Sequence, residues 1–295
     1  MRAAVIVDGR LELQERPDPV PGDGEILIRV RASGINGADL LQRAGNYPPP
    51  QGAPPDIPGL ECAGETERGE HVMALLPGGG HAELVVVHES HVLPVPDSVG
   101  WPEAGGFVEV FATAHDALFT QAQLMPGERL LVNGASGGVG VAGVQLGAET
   151  GAIVTGIARH HLEQILELGA TDTKASDKYS VILELVGGDN LPKNLERLDL
   201  KGRIALIGLG AGATAEVNFG YLLRARGRIH GSTLRSRTRA EKADVIRRLR
   251  EDVLPLLDEG RVVVPVHATY PLDQAQEAYD AFAAGGKFGK LVLLP

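Results

Sequence analysis

The sequence predicts an α/β protein, a small β-barrel followed by a doubly wound parallel sheet. Three observations carry that reading. Residues 1 to about 107 hold short apolar runs of period two, broken by proline and glycine. From about residue 108, strand-like runs alternate with helix-like stretches, the pattern of βαβ units. A glycine-rich turn, residues 134–140, stands where the first of those later strands gives way to a helix.

In the barrel third, Ile26, Ile28, Val30 and Ala32 alternate with Leu27, Arg29 and Arg31, which predicts a half-buried strand. Runs at 72–76 and 84–87 repeat the theme. Pro17, Pro19 and Pro21 precede the first clear strand, and six prolines at 48–58 mark a long loop. Beyond residue 108, strands are expected at 129–133, 152–157, 181–186 and 203–208. The helix after the first carries apolar residues on both faces (Val139, Val141, Ala142, Val144, Leu146), as expected of a helix packed tightly on a sheet. The stretch 239–259 places Ile246, Leu249, Val253 and Leu257 on one face, with Gly260 as terminator. Leu272, Ala275, Tyr279 and Phe282 form another apolar face stopped by Gly285 and Gly286, and 290–294 reads as a final strand.

With 38 Asp+Glu against 28 Lys+Arg, the 295-residue chain carries a net charge of −10. That balance argues against nucleic acid as partner, since sequence-independent affinity comes from clustered cations releasing counterions. Asp8 interrupts the N-terminal apolar run, leaving no room for a secretory hydrophobic region, so a cytoplasmic location is expected. The uncharged segment 130–148 holds six glycines and reads as strand, turn and buried helix, with no membrane span expected. Cys62 is the single cysteine, which excludes an intramolecular disulfide and a four-thiolate zinc site. It reads as a core residue. His88 and His91 lack further ligands nearby and read as exposed loop histidines rather than a metal site.

Ala135, Ser136, Gly137, Gly138, Val139 and Gly140 form an A-x-G-x-x-G variant of the dinucleotide fingerprint. The chemistry asks for small residues here, because the backbone must approach a pyrophosphate and offer it the amides of a helix N-terminus. At the end of the second strand an acid normally accepts from the ribose hydroxyls. This chain has Arg159 instead, whose planar fork of donors suits a 2′-phosphate and favours NADPH. Gly134 to Gly138 also satisfy G-x-S-x-G, so a hydrolase with Ser136 as nucleophile and His230 or His267 as base is the rival enzyme class.

The β-rich N-terminal part, the A-S-G-G-V-G turn and the returning C-terminal strand together resemble the medium-chain dehydrogenase/reductase superfamily. More narrowly, residues 34–43, 45–50 and 59–61 look like the zeta-crystallin-type quinone oxidoreductases, and residues 231–237 like their tumour-suppressor-inducible subgroup. The resemblance implies a GroES-like catalytic domain, 1–107 with 266–295, and a Rossmann domain, 108–265. It implies a zinc-independent enzyme, because zinc-dependent relatives carry Cys where this chain has Asn36 and His where it has Leu60. It places Asn36 and Tyr47 beside a quinone and Thr113 near the nicotinamide, with Gly208 and Leu234 lining the cofactor. It further implies a homodimer paired through an edge strand near 228–233. The chain is shorter than the family pattern around 65–70 and 171–180. A reductase of another activated double bond, such as an enone or enoyl thioester, shares all these motifs, and a non-enzymatic NADPH-binding protein is the third alternative.

Overall fold

The computed structural model describes residues 1–176 and 178–295. It divides into two compact units, Met1–Ala112 with Leu234–Pro295, and Thr113–Thr233. The chain therefore returns to the first unit at Leu234, not near the expected 266. The helix Arg239–Asp252 decides this: Arg250 Nη2 donates to the Val92 carbonyl at 2.8 Å, and His91 Nε2 donates to the Arg239 carbonyl at 3.0 Å. His91 is thus a buried packing residue, which corrects its reading as an exposed loop histidine.

The first unit contains β1 (Arg2–Val7), β2 (Arg10–Glu15), β3 (Glu25–Gly34), β4 (Glu61–Thr66), β5 (His71–Leu75), β6 (Leu84–His88) and β7 (Val92–Pro94). β1 and β2 pair through Asp8-Gly9, whose φ values of 47° and 76° are those of a two-residue hairpin turn twisted like its strands. The ten-residue β3 pairs with β6 over its first half, with β4 along its middle, and with the C-terminal strand at Ser33 and Gly34. One face of this curled sheet buries Ile28, Val30, Cys62, Val72, Ala74, Val85 and Val87. Each fully buried Val or Ile contributes about 1.5–3 kcal/mol.

The second unit contains β8 (Arg129–Asn133), β9 (Ile153–Ile157), β10 (Tyr179–Glu184), β11 (Leu198–Leu206) and β12 (Arg228–Gly231). They form one parallel sheet in the order β12-β11-β10-β8-β9. β11 starts before the expected 203, because Leu198 already pairs with Tyr179; the register then shifts to Val181 opposite Arg203, with Lys201 at φ 60° inside the irregular stretch. Between the helix Leu162–Glu167 and β10, described residues reach β9 through a bridge between Asp172 and Thr155 and through Thr171, whose N–H and hydroxyl both donate to the Val154 carbonyl. The helix Gly138–Glu149 packs closely because Gly143 and Gly147 face Leu183 and Leu130, where a Cβ would lie 2.7 and 2.6 Å from their methyls.

After the second unit come the helix Arg239–Asp252 and a separate helix, Leu254–Asp258. A continuous helix over 239–259 is expected, but Pro255 lacks an N–H and breaks the ladder at Val253. Ile246, Leu249, Val253 and Leu257 are nonetheless all buried. β13 (Val266–Pro271) and β14 (Lys290–Leu294) complete the first unit's sheet, and Leu272, Ala275 and Tyr279 pack beneath them. Among the described residues no helix is long and apolar enough to cross a membrane.

Candidate active site

In the second unit the strand order reverses at β8, whose neighbours are β9 and β10. Ligands of open α/β sheets bind at the carboxyl ends of the strands at such a point. The turn there is tied down by two donors, since the N–H groups of Gly134 and Ala135 both reach the Ile157 carbonyl at 3.0 Å. Gly134 needs its glycine for φ 85°. At Gly140 a Cβ would lie 2.7 Å from Ala135 Cα, so only hydrogen fits.

The helix beginning at Gly138 has Gly137 as N-cap and no side-chain cap. Its first amides have no intrahelical acceptor, and with the Gly137 N–H turned back to the Gly134 carbonyl at 3.1 Å, Ser136 and Gly138 to Gly140 are left to present donors at the positive end of a helix. Helix N-termini of this kind are where phosphate groups bind. Ala135, fully buried, takes the place of the first glycine. Arg159 follows β9 by two residues and is exposed. Gly208 lies just past β11, where a Cβ would meet the Leu185 backbone at 2.6 Å. Thr113 is half-buried in the helix Val108–His115. Ser136 hydrogen-bonds to no histidine or acid among the described residues, which removes the support for the hydrolase reading.

Sequence reasoning missed Glu184, fully buried at the end of β10. Its carboxylate accepts from the amides of Asn133 and Asn194, both at 2.6 Å, and from the N–H groups of Val186 and Gly187 at 2.7 and 2.8 Å. Five donors, counting Asn190 Nδ2 at 3.4 Å, hold the strand end without a cation. Nothing local in the sequence marks it.

The first unit brings together a second polar cluster. Asn36 caps the helix Gly37–Arg43. Its side-chain amide donates to Glu61 Oε1 at 2.9 Å and to the Gly34 carbonyl at 3.3 Å, and its oxygen accepts from Lys290 Nζ at 2.7 Å. Both amide hydrogens are therefore engaged within the protein, so Asn36 has no N–H left for a substrate oxygen. Lys290 also donates to Glu61 Oε1 at 2.7 Å and to the Ile35 carbonyl at 3.0 Å. Glu61 Oε2 accepts from the Glu109 N–H at 2.9 Å.

Beside it, buried Asp39 accepts from the N–H groups of Asn36 and Gly59. Burial pushes its pKa up to about 6. His81 hydrogen-bonds to Ser33 Oγ at 3.0 Å, and burial, followed by the charge of Lys290, lowers its pKa to about 3. Burial also raises the pKa of Glu109, with Glu61 and Asp39 adding repulsion, to about 8.

Tyr47 stands partly exposed at the edge of the proline loop. Arg235, which falls in the 231–237 resemblance but has no role assigned there, lies under it. Its guanidinium sits 5.2 Å from the Tyr47 ring centroid and donates to the carbonyls of Tyr47 at 3.0 Å and Pro77 at 2.9 Å, and to Gln42 Oε1 at 2.6 Å. Neighbouring Leu234, expected at the cofactor, is buried and grouped with the barrel unit.

A catalytic zinc ion does not fit this donor set. Leu60 has no ligating atom, Asn36 is saturated, and Glu61 already binds the Lys290 ammonium. The Cys62 thiol lies buried in the sheet, its pKa raised by burial. Among the described residues no cluster of three His, Cys, Asp or Glu side chains is placed to hold a metal.

A β-barrel unit interrupted in sequence by a parallel nucleotide-type sheet is the architecture of the medium-chain dehydrogenase/reductases. Residues 22–97 match the alcohol dehydrogenase GroES-like domain family, and residues 160–293 match the family described as zinc-binding dehydrogenase. The chain is 30% identical to quinone oxidoreductase of Rattus norvegicus, over 94% of this chain and 91% of the relative. It is 29% identical to the human synaptic vesicle membrane protein VAT-1 homolog-like, over 99% and 80%. Among solved structures, the quinone oxidoreductase of Thermus thermophilus, also determined with NADPH, superposes with TM-score 0.89 at 32% identity over the whole of both chains. The chain belongs to the quinone oxidoreductase family of the medium-chain dehydrogenase/reductase superfamily.

Proposed function

We propose that the protein is a zinc-independent, NADPH-dependent quinone oxidoreductase. The observation that carries this reading is the uncapped turn at Ser136 to Gly140, paired with a cation, Arg159, where NAD-binding sheets place an acid. The amides of the turn hold the pyrophosphate, and the Arg159 guanidinium offers a bidentate site to the 2′-phosphate. NADPH supplies the hydride when bound. Tyr47 presents a hydroxyl that forms no hydrogen bond to a described residue, so it is available to orient an acceptor oxygen. Thr113 and Gly208 are assigned to the nicotinamide side. Quinones suit a site without a Lewis acid, because their own ring delocalises the charge that hydride brings. The exposed edge strand β12 is assigned to pairing in a homodimer, and the location to the cytoplasm.

The second reading is a non-enzymatic NADPH-binding protein, which the likeness to a relative named for a membrane rather than a reaction supports. Fluorescence titration with NADPH and NADH, followed by NADPH oxidation with 1,2-naphthoquinone and with an enone, separates the readings. NADPH-selective binding with quinone turnover is the expected result. Enone turnover alone reassigns the substrate class, binding without turnover favours the second reading, and failure to bind either nucleotide overturns both.

A further inference from the structure

We propose that the second unit carries an anion-binding site for a small organic phosphate, separate from the nucleotide turn. A cavity of about 610 Å³ opens beside β11 and β12, and Lys201, Arg203, Arg228 and His230 line it. Its volume lies within the range of small-molecule sites, about 300–1,000 Å³. Arg203 pairs with Arg228 and Ala205 with His230 in the parallel register, so Arg203, Arg228 and His230 stand on one face of the sheet. Arg203 shows which face that is. Its guanidinium donates to the carbonyls of Ala122 at 2.7 Å and Gln123 at 2.8 Å, just beyond the π-helix Asp116–Gln121.

Three features of the cavity point to a ligand. The first is charge. Arg203 is neutralised within the fold, since it also donates to both oxygens of Glu128 at 2.7 and 2.8 Å. Lys201 and Arg228 are exposed and form no hydrogen bond or ion pair with a described residue. In a chain of net charge −10, two unpaired cations therefore face one cavity, and a bound anion relieves their repulsion. The second is His230, whose Nε2 is buried with no hydrogen-bond partner, a destabilising arrangement. The third is backbone conformation. Gln123 and Lys201, both at the cavity, have φ values of 51° and 60°, in the left-handed region that costs any residue with a Cβ. Such outliers gather at ligand sites.

Two unpaired cations match the charge of one phosphate group, which also offers acceptor oxygens to the planar fork of Arg228 and the point charge of Lys201. Ile229 gives an organic remainder an apolar wall, and the Gln123 amide gives it a polar one. The site is distinct from the nucleotide turn. Arg203 is level with Val181 and Leu130, whereas the turn follows Asn133, which is level with Glu184 and Leu206. The Arg203–Arg228 pair is therefore displaced from the turn by about 10 Å along the strands and lies two strands or more across the sheet. Phosphate and NADPH should bind independently. Main-chain pairing along β12 would use the N–H and C=O groups of its edge, whereas these side chains stand on the face of the sheet.

Titration calorimetry of the full chain with ribose 5-phosphate, alone and with saturating NADPH, tests the site. Wild type should bind one ribose 5-phosphate per chain in both conditions, more tightly than inorganic phosphate or citrate. Arg228→Gln and Lys201→Gln should each weaken binding by roughly 10-fold and leave NADPH affinity unchanged. Arg224→Gln removes an exposed cation of the helix Phe219–Ala225 outside the cavity and should change nothing. The His230 imidazole gives a local signal by NMR. Burial holds its pKa down, with Asp116 opposing and Arg228 and Arg203 assisting, so a bound phosphate should raise it. No heat and no His230 shift at millimolar ribose 5-phosphate overturns the site, as does equal weakening in Arg224→Gln. Binding abolished by NADPH assigns the anion to the nucleotide turn and overturns it too. Citrate or inorganic phosphate binding as tightly overturns the organic phosphate as ligand. None of these arms measures turnover, so the outcome is independent of the reductase reading.

Discussion

Lys290 Nζ lies 2.7 Å from Glu61 Oε1, with the two side chains 3% and 0% exposed. A buried pair of this kind gives up most of its Coulombic gain to desolvation, yet breaking it leaves a lone charge in the interior. Lys290→Met is therefore expected to cost about 3–5 kcal/mol of stability. Adding Glu61→Gln to that variant should recover part of the loss. Denaturant unfolding followed through the single tryptophan, Trp101, measures both, and strict additivity would show that the two residues are not coupled.

Two buried groups, Asp39 and His81, and the partly exposed Glu109 give stability a defined pH dependence. Asp39 and Glu109 have folded-state pKa values raised to about 6 and about 8. The native state thus holds protons the unfolded chain has released, and both groups make stability fall as pH rises. His81, lowered to about 3, has the opposite sign, because the unfolded chain gains a proton below its ordinary pKa of 6.5 while the native state does not. Its contribution is lost as pH falls from 6.5 toward 3. From pH 6.5 to 8 Glu109 acts alone among the three. Denaturation midpoints should decline across that window in wild type and stay level in Glu109→Gln; an equal slope in both would remove Glu109 as its source.

We assign the choice of cofactor to the charge of Arg159. Arg159→Ala is expected to weaken NADPH by roughly 10- to 100-fold, corresponding to a lost charge-assisted contact of about 1.5–3 kcal/mol, with NADH little changed. Titration of both nucleotides at two salt concentrations reads this out, and equal weakening of the two would assign Arg159 a general role.

Arg235 fixes the loop that carries Tyr47. Truncation to Ala leaves the Tyr47 and Pro77 carbonyls and Gln42 Oε1 without their donor. We expect a loss of about 2–4 kcal/mol and a raised acceptor KM with a smaller change in kcat. Arg235→Lys should recover little, because an ammonium lacks the planar fork that reaches three acceptors at once. Unchanged KM in a folded Arg235→Ala would separate the Tyr47 loop from acceptor binding.

The nucleotide turn is legible in the sequence because its requirements are local. Gly134 and Gly140 answer a positive φ and a close backbone approach within a seven-residue stretch, and β8 falls on the expected 129–133. Asp8-Gly9 is an equally local hairpin signal, although sequence reasoning took from Asp8 only the end of an apolar run. The single helix expected over 239–259 failed at a visible signal too, since Pro255 outweighed an unbroken apolar stripe.

By itself, then, the sequence determined the fold class, the glycine cradle and the missing acid at Arg159, all written in period, turn chemistry or one strand end. Tertiary structure alone decided that Asn36 is saturated, that Glu61 meets Lys290 across 229 residues, and that Arg235 lies under Tyr47 across 188. It also decided which carboxylates, Glu61 and Asp39, stand near enough to Glu109 to push its pKa up. The reason is that a hydrogen bond or a desolvated charge depends on which distant side chains the fold brings within a few ångströms, and no local pattern encodes that.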